Sequence, residues 1–259
     1  MLLAIDVGNT NIEFGVLHQA KLLASFRLGT NREITSDEVG LHLMTFFQIH
    51  HIQVEEIQDV LITSVVPQIN YSMTNAVRKY IHKEALVIGE NISIQIQNLY
   101  DNPEEVGADR LVDALAGYRK YGGPLIVVDF GTATTFDAID AQGAYLGGVI
   151  YPGIRISMDA LFQKAAKLPR VELVKPREVI GKNTVHSLQS GAIYGYVGAT
   201  ENIIHELKQV LGEGTHVVAT GGFSRLIGQY TDSFQVVDRH LTLDGLWMIY
   251  QDYLEAGQR

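Results

Sequence analysis

Apolar positions in this chain fall in short blocks separated by turn residues. Continuous runs over 2–7, 12–17 and 21–28, the first two parted by Gly8, Asn9 and Thr10, predict three strands. Ser36 ahead of Asp37 and Glu38 predicts a helix cap with acids in the first turn, and Val39, Leu43, Phe46 and Phe47 then recur at helical spacing. A strand is expected over 59–65, stopped by Pro67, and then a helix over 68–83 with Met73, Val77 and Ile81 on one side. A strand at 85–88, a polar connection over 91–105 broken by Pro103, and a helix over 108–121 complete the first half. The second half is β-rich over 125–140 and 145–151. It continues with helices near 156–166 and 186–211, strands at 216–220 and 234–237, and a closing helix over 241–254.

The two halves share more than an order of elements. Asp6 and Asp129 lie 123 positions apart, and superposing them sets 3–8 opposite 126–131. Each stretch reads apolar strand, Asp, apolar residue, Gly, small polar turn, second strand. Duplication of one β-β-β-α-β-α unit accounts for this, and two unrelated hairpins sharing an Asp and a Gly are the alternative. The expected fold is α/β: two duplicated lobes, each a mixed sheet flanked by helices. The repeat divides the chain into 1–121, with the first turn, and 122–259, with the second.

Composition narrows the chemistry. Twenty Lys and Arg against 29 Asp and Glu give a formal net charge of −9, an adverse balance for a protein that grips a phosphate backbone, so no nucleic-acid partner is expected. The absence of Cys removes disulfides, thiolate zinc sites, iron–sulfur clusters and a Cys nucleophile. No apolar run reaches the roughly 18–20 residues that cross a bilayer, and no basic stretch precedes an apolar core at the N-terminus. A cytoplasmic protein without a membrane partner is expected.

The two turns carry the candidate chemistry. Gly8, Asn9, Thr10 and Asn11 combine a residue that permits close backbone approach with short side-chain donors, a vocabulary suited to phosphate. Asp6 at the strand end supplies hard oxygen for Mg²⁺, directly or through its waters, when phosphates complete the shell. Asp129, Gly131, Thr132, Ala133, Thr134 and Thr135 repeat the pattern, and a third glycine pair, Gly221 and Gly222, follows the strand at 216–220, where adenine could lie against the backbone. Facing each other across a cleft, the two turns could hold both ends of a triphosphate. Other phosphate and hydrolase signatures are missing: Gly181–Lys182–Asn183 is not a P-loop, His205–Glu206 lacks the second His at 209, and neither G-x-S-x-G nor G-x-G-x-x-G occurs.

Asp6-Val7-Gly8-Asn9-Thr10-Asn11, Gly107-Ala108-Asp109-Arg110, Asp129-Phe130-Gly131-Thr132-Ala133-Thr134-Thr135 and Gly221-Gly222, in this order, resemble the motifs of the type III pantothenate kinase family. That family belongs to the superfamily of acetate and sugar kinases and actin, with a ribonuclease H-like, actin-like ATPase fold and ATP in the cleft between lobes. The resemblance runs from residue 2 to about 250 and takes in Gly147-Gly148-Val149-Ile150-Tyr151-Pro152-Gly153 and Gly181-Lys182-Asn183-Thr184. It implies ATP-dependent phosphorylation of pantothenate at its terminal hydroxyl, the first step toward coenzyme A. It further implies a homodimer, Mg²⁺, and a monovalent cation, K⁺ or NH₄⁺. By matching position, Asp109 would be the general base. Asp6, Val7, Gly8, Asn9, Thr10, Asn11, Ile12 and Glu13 would line the ATP phosphates with Thr132 opposite, and Gly221 and Gly222 would meet the adenosine. Tyr100, Gly107, Ala108, Asp109, Arg110 and Thr184 would bind pantothenate, and Asp129 the monovalent cation.

Several residues keep two readings. Asp109 could simply be a first-turn helix acid, Arg110 could clamp the substrate carboxylate or pair with Asp113, and Thr184 could contact substrate or cap a helix. Gly191, Gly195 and Gly198 lie inside a predicted helix, where each costs about 1 kcal/mol against Ala, so a dimer partner or intrachain packing should compensate. Glu13 and Asp113 depart from the residues common in the family. The rival reading is a regulatory, transcription-accessory member of the same family that binds ATP without kinase activity; a sugar or acetate kinase relative is a second.

Overall fold

A computed structural model describes residues 1–257 of the 259. The chain forms two compact units. The first takes residues 1–96, 102–116 and 240–259, and the second takes 97–101 and 117–239.

In the first unit, β1 (Leu2–Val7) lies between antiparallel β2 (Asn11–His18) and parallel β4 (Asp59–Ser64). With β3 (Lys21–Gly29) and β5 (Ala85–Val87) the sheet order is β3-β2-β1-β4-β5. Strand β1 is buried on both faces, which is why its sequence reads as an unbroken apolar run rather than an alternation. Leu3, Ile5 and Val7 enter a core with helices α1 (Ser36–His50) and α2 (Asn70–Ala76), while Leu2 and Ala4 enter a second with Val112 and Leu115 of α3 (Ala108–Tyr121). Helix α1 starts one residue earlier than expected. Thr35, not Ser36, is its cap: the Glu38 N–H donates to Thr35 Oγ1 at 3.2 Å and Glu38 Oε2 accepts from the Thr35 N–H at 2.8 Å, a reciprocal box. The helix expected over 68–83 is split into a short 3₁₀ turn, α2 and a π-helical turn over 77–81.

The second unit repeats this plan. Strand β6 (Leu125–Phe130) lies between antiparallel β7 (Ala133–Ile139) and parallel β9 (His216–Gly221). With β8 (Tyr145–Pro152) and β10 (Val236–Val237) the order β8-β7-β6-β9-β10 matches the first sheet strand for strand. The registers agree as well: Asp6 is flanked by Glu13 and Thr63, Asp129 by Thr135 and Thr220. One face of this sheet is covered by α4 (Ile154–Lys164), α5 (Thr184–Leu211) and α6 (Ser224–Ile227), with Ile126, Val128 and Phe130 packed among Ile193, Val197 and Ile204.

The repeat and the packing divide the chain differently: 97–101 and the end of α3 from 117 on go with the second unit, and the chain from 240 on goes with the first. Helix α7 (Leu241–Gly257) follows the second sheet in sequence, yet Leu243, Leu246 and Ile249 bury against Leu2, Ala4 and Leu17 of the first. On α5, a Cβ added to Gly191, Gly195 or Gly198 would meet nothing within 4 Å, so crowding within the chain is not the reason for these glycines.

Candidate active site

Strand β1 brings Asp6, half-buried, to its C-terminal end. The turn beyond it is closed by the Gly8 N–H to Asn11 O at 3.0 Å and fixed by Thr30, whose hydroxyl donates to Gly8 O at 2.6 Å and whose N–H donates to Thr10 O at 2.9 Å. Asn9, Thr10 and Asn11 are exposed at the tip. Val7 and Ile12 are fully buried in the core, so of these two only backbone groups can face a ligand. Glu13 is bound by the guanidinium of Arg27, its register partner on β3. The acid at 13 therefore carries its own counter-charge, and Arg27 is a cation close to the first turn that the motif reading missed. The signal for it was the hairpin register, which places 27 across from 13.

Asp109 sits in the first turn of α3. The Gly107 carbonyl accepts from the Arg110 N–H at 3.1 Å and starts the helix, and Asp109 Oδ1 accepts from the same N–H at 2.8 Å. The capping reading is thus correct for one oxygen, while Oδ2 takes no part in that bond. Burial raises the Asp109 carboxyl above its ordinary value, opposed by the Arg110 amide and guanidinium. Gly107 makes room for this carboxylate: a Cβ there would lie 2.5 Å from Asp109 Oδ1 and 3.5 Å from Val65 Cγ1. The Val65 N–H in turn donates to Val7 O at 3.0 Å, so the Asp109 turn and the 8–11 turn share one support. Gly107→Ala should therefore rotate the carboxylate rather than unfold the helix. We expect kcat to fall by about 10–100-fold with an unchanged melting midpoint, measured by steady-state kinetics and calorimetry. An unchanged kcat would show that the position of Oδ1 is immaterial.

In the second unit, Asp129 ends β6 as Asp6 ends β1. A Cβ on Gly221 would lie 2.2 Å from Asp129 Oδ1, and one on Gly131 would lie 3.0 Å from Oδ2, so each carboxylate oxygen rests against a glycine. Thr132 lies in the turn beyond. Its carbonyl approaches Gly153 so closely that a Cβ there would sit 2.0 Å away, and Gly153 is held by Tyr196 of α5, whose hydroxyl donates to Gly153 O at 3.1 Å. Gly222 is exposed with nothing within 4 Å of an added Cβ, leaving its backbone open to a flat ligand.

Tyr100 belongs to the second unit and is half-buried, with its ring beside Gly147 and Tyr145. Thr184 is exposed at the first position of α5. It is not the cap. That role falls to Asn183, whose Oδ1 accepts from the His186 N–H at 2.9 Å. The structure thus gathers Asp6, the 8–11 turn and Asp109 in one unit, and Asp129, Thr132 and Gly221 in the other.

At Asp6, the neighbouring Thr63 Oγ1 is buried with no hydrogen-bond partner among the described residues, and Glu13 lies on the other flank. A hydrated divalent ion suits such a set of hard oxygens and an orphaned hydroxyl. At Asp129, the two glycines leave a cradle that any side chain would fill. Among the described residues no three His, Asp or Glu side chains converge on a point.

Comparison with known proteins bears on the family. A family model described as type III pantothenate kinase matches residues 2–206. A type III pantothenate kinase from Exiguobacterium sibiricum is 47% identical over 251 residues, which cover 97% of this chain and 99% of that protein. Among solved structures, a Sinorhizobium meliloti protein provisionally assigned as a 2-dehydro-3-deoxygalactonokinase superposes with a TM-score of 0.61 at 10% identity, covering 97% of this chain and 96% of that one. A conserved Campylobacter jejuni protein provisionally assigned to the Baf family of transcriptional activators gives 0.59 at 20% identity, covering 98% and 99%. At such identities the two structures speak to the fold alone. With a near full-length relative at 47% identity and the family's profile matched over most of its length, the chain belongs to the type III pantothenate kinase family.

Proposed function

We propose that the protein transfers the γ-phosphoryl group of ATP to the terminal hydroxyl of pantothenate, giving ADP and 4′-phosphopantothenate, the first step of coenzyme A biosynthesis. The observation that carries this reading is the desolvated carboxylate of Asp109 on a helix start, in a chain of this family. Phosphoryl transfer asks a protein mainly to position groups and to neutralise charge. Asp109 accepts the proton of the attacking hydroxyl as its oxygen bonds to phosphorus. The backbone of 6–13 and Thr132 hold the phosphates, Gly221 and Gly222 take the adenosine, and Tyr100, Gly107, Ala108, Arg110 and Thr184 orient pantothenate. Mg²⁺ held through Asp6 and K⁺ or NH₄⁺ at Asp129 would offset the phosphate charge that a chain of net −9 does not balance with its own cations.

A homodimer is supported by α5, where Gly191, Gly195 and Gly198 present an open face flanked by exposed Val185 and Tyr194. Light scattering should give twice 28.6 kDa, and a 28.6 kDa particle would contradict it. Placement in the cytoplasm fits the observation that no helix among the described residues is long and apolar enough to cross a membrane. The deciding assay combines the protein with Mg-ATP, pantothenate and K⁺, and follows phosphopantothenate. Absence of product with every monovalent cation would refute the kinase reading. Replacing K⁺ by Na⁺ is expected to lower turnover sharply, and indifference to the cation would remove the role given to Asp129.

A further inference from the structure

We propose that Tyr145 and Asp137 are positioning residues for substrate recognition, whose buried hydrogen bond fixes the 97–101 segment and with it the ring of Tyr100. The inference rests on the reading that Tyr100 binds pantothenate. Tyr145 is 0% exposed and Asp137 1%, and the Tyr145 hydroxyl donates to Asp137 Oδ1 at 2.8 Å. Thr135 Oγ1 donates to Asp137 Oδ2 at 3.0 Å. A carboxylate this deep is costly to bury, and a core in need of packing alone would be served by apolar residues at both positions. Thr135 is also the register partner of Asp129, so the network lies on the same sheet face as the cation candidate.

Tyr145 is the point at which the 97–101 segment is attached. Its N–H donates to Gln97 O at 2.8 Å and its carbonyl accepts from the Leu99 N–H at 2.8 Å, which makes 97–99 a one-bridge extension of the sheet at Asn98. Asn98 Oδ1 then accepts from the Tyr100 N–H at 3.0 Å. The Tyr100 ring lies 6.4 Å from the Tyr145 ring, centroid to centroid, and 3.3 Å from the position a Cβ would take on Gly147, whose φ of +123° already disfavours any other residue. The chain on either side of 97–101 belongs to the first unit, so these contacts set the place of Tyr100 in the second. A Tyr145 side chain held through its hydroxyl keeps its own backbone, the two segment bonds and the wall behind Tyr100 in one arrangement.

Four single variants and one double variant test this. Tyr145→Phe and Asp137→Val each remove the bond, and should raise the pantothenate KM about tenfold, the effect of one hydrogen bond, with ATP KM and kcat at saturation changed less than about twofold. Asp137→Asn keeps an acceptor and should stay within about threefold of wild type. Hydrogen exchange at the Leu99 amide should quicken in the first two and not in the third. Tyr100→Ala should raise the pantothenate KM, and adding Tyr145→Phe to it should raise it no further. If Tyr100→Ala leaves the pantothenate KM unchanged, the reading of Tyr100 fails and the positioning role falls with it. If Tyr100→Ala raises KM while Tyr145→Phe and Asp137→Val do not, or if the double variant is additive, the positioning role alone is overturned.

Discussion

Asp109→Asn is expected to lower kcat by about 10²–10⁴, the usual worth of a general base, while the chain stays folded and still binds Mg-ATP. Asn matches Asp in shape and can accept the Arg110 N–H that Oδ1 now accepts, so the helix start should survive. The pH dependence follows from burial, which raises this carboxyl above its ordinary value. In wild type, turnover should fall on acidification with an acid limb above the usual carboxylate range, as the base is protonated. For stability the sign is reversed. A folded state that favours the protonated form is most favoured below the unfolded pKa, and this contribution is lost as pH rises through the raised value. Asparagine never ionises, so Asp109→Asn should melt above wild type near about pH 8 and lose that advantage near about pH 4. Near-normal turnover in the variant would end the assignment of Asp109 as the base. A melting difference that does not change with pH would show that ionisation of Asp109 carries no folding cost.

Much of this architecture was legible because its signals are local. The five strands of each sheet announce themselves by short apolar runs, and the equivalence of Asp6 and Asp129 follows from residues within a few positions of each. The structure extends that equivalence to strand order and register. Long-range choices were not legible. Nothing near 241–257 states that Leu243 and Leu246 pack on β1 rather than on the sheet just completed, because amphipathic spacing names a face and not its partner. The cap expected at Ser36 falls one residue earlier, at Thr35, and of the readings open for Thr184 the cap goes to its neighbour Asn183, since adjacent residues share the same capping chemistry and only backbone geometry decides.

In the candidate site, the motif residues are legible along the chain and their supports are not. Gly107 reads as part of a signature, whereas its packing role depends on where the Asp109 carboxylate turns. Arg27 sits fourteen residues from Glu13 and only the hairpin brings them together. Asp137 in an alternating strand looks like a solvent-facing polar residue, and it is in fact 1% exposed because Tyr145 and Thr135 reach it. Thr63 is hidden in the same way by an apolar strand, and its orphaned hydroxyl is visible only once β4 lies beside Asp6. Position along the chain thus carries the candidate groups, and tertiary pairing carries what holds them still.

Gly221→Ala should produce the largest combined loss of stability and activity. The residue has φ +83°, a region that an L side chain seldom enters. An added Cβ would lie 2.2 Å from Asp129 Oδ1 and 2.7 Å from both the N and C of Phe130. The carboxylate could swing aside, but the Phe130 backbone cannot, because Phe130 and Gly221 are partners in the β6–β9 ladder. Strain and displacement together should cost about 2–4 kcal/mol in folding free energy, read from denaturant or thermal unfolding. If Asp129 holds a monovalent cation as proposed, what folds should respond weakly to K⁺, since that carboxylate has lost its cradle. Gly222→Ala is the internal control: nothing lies within 4 Å of its added Cβ, so unfolding should be unchanged and any effect should fall on the ATP KM. Equal stability of Gly221→Ala and wild type would mean that β9 does not press on Asp129 as described. Loss of stability with a normal K⁺ response would separate the fold from the cation site and leave Asp129 a structural acid.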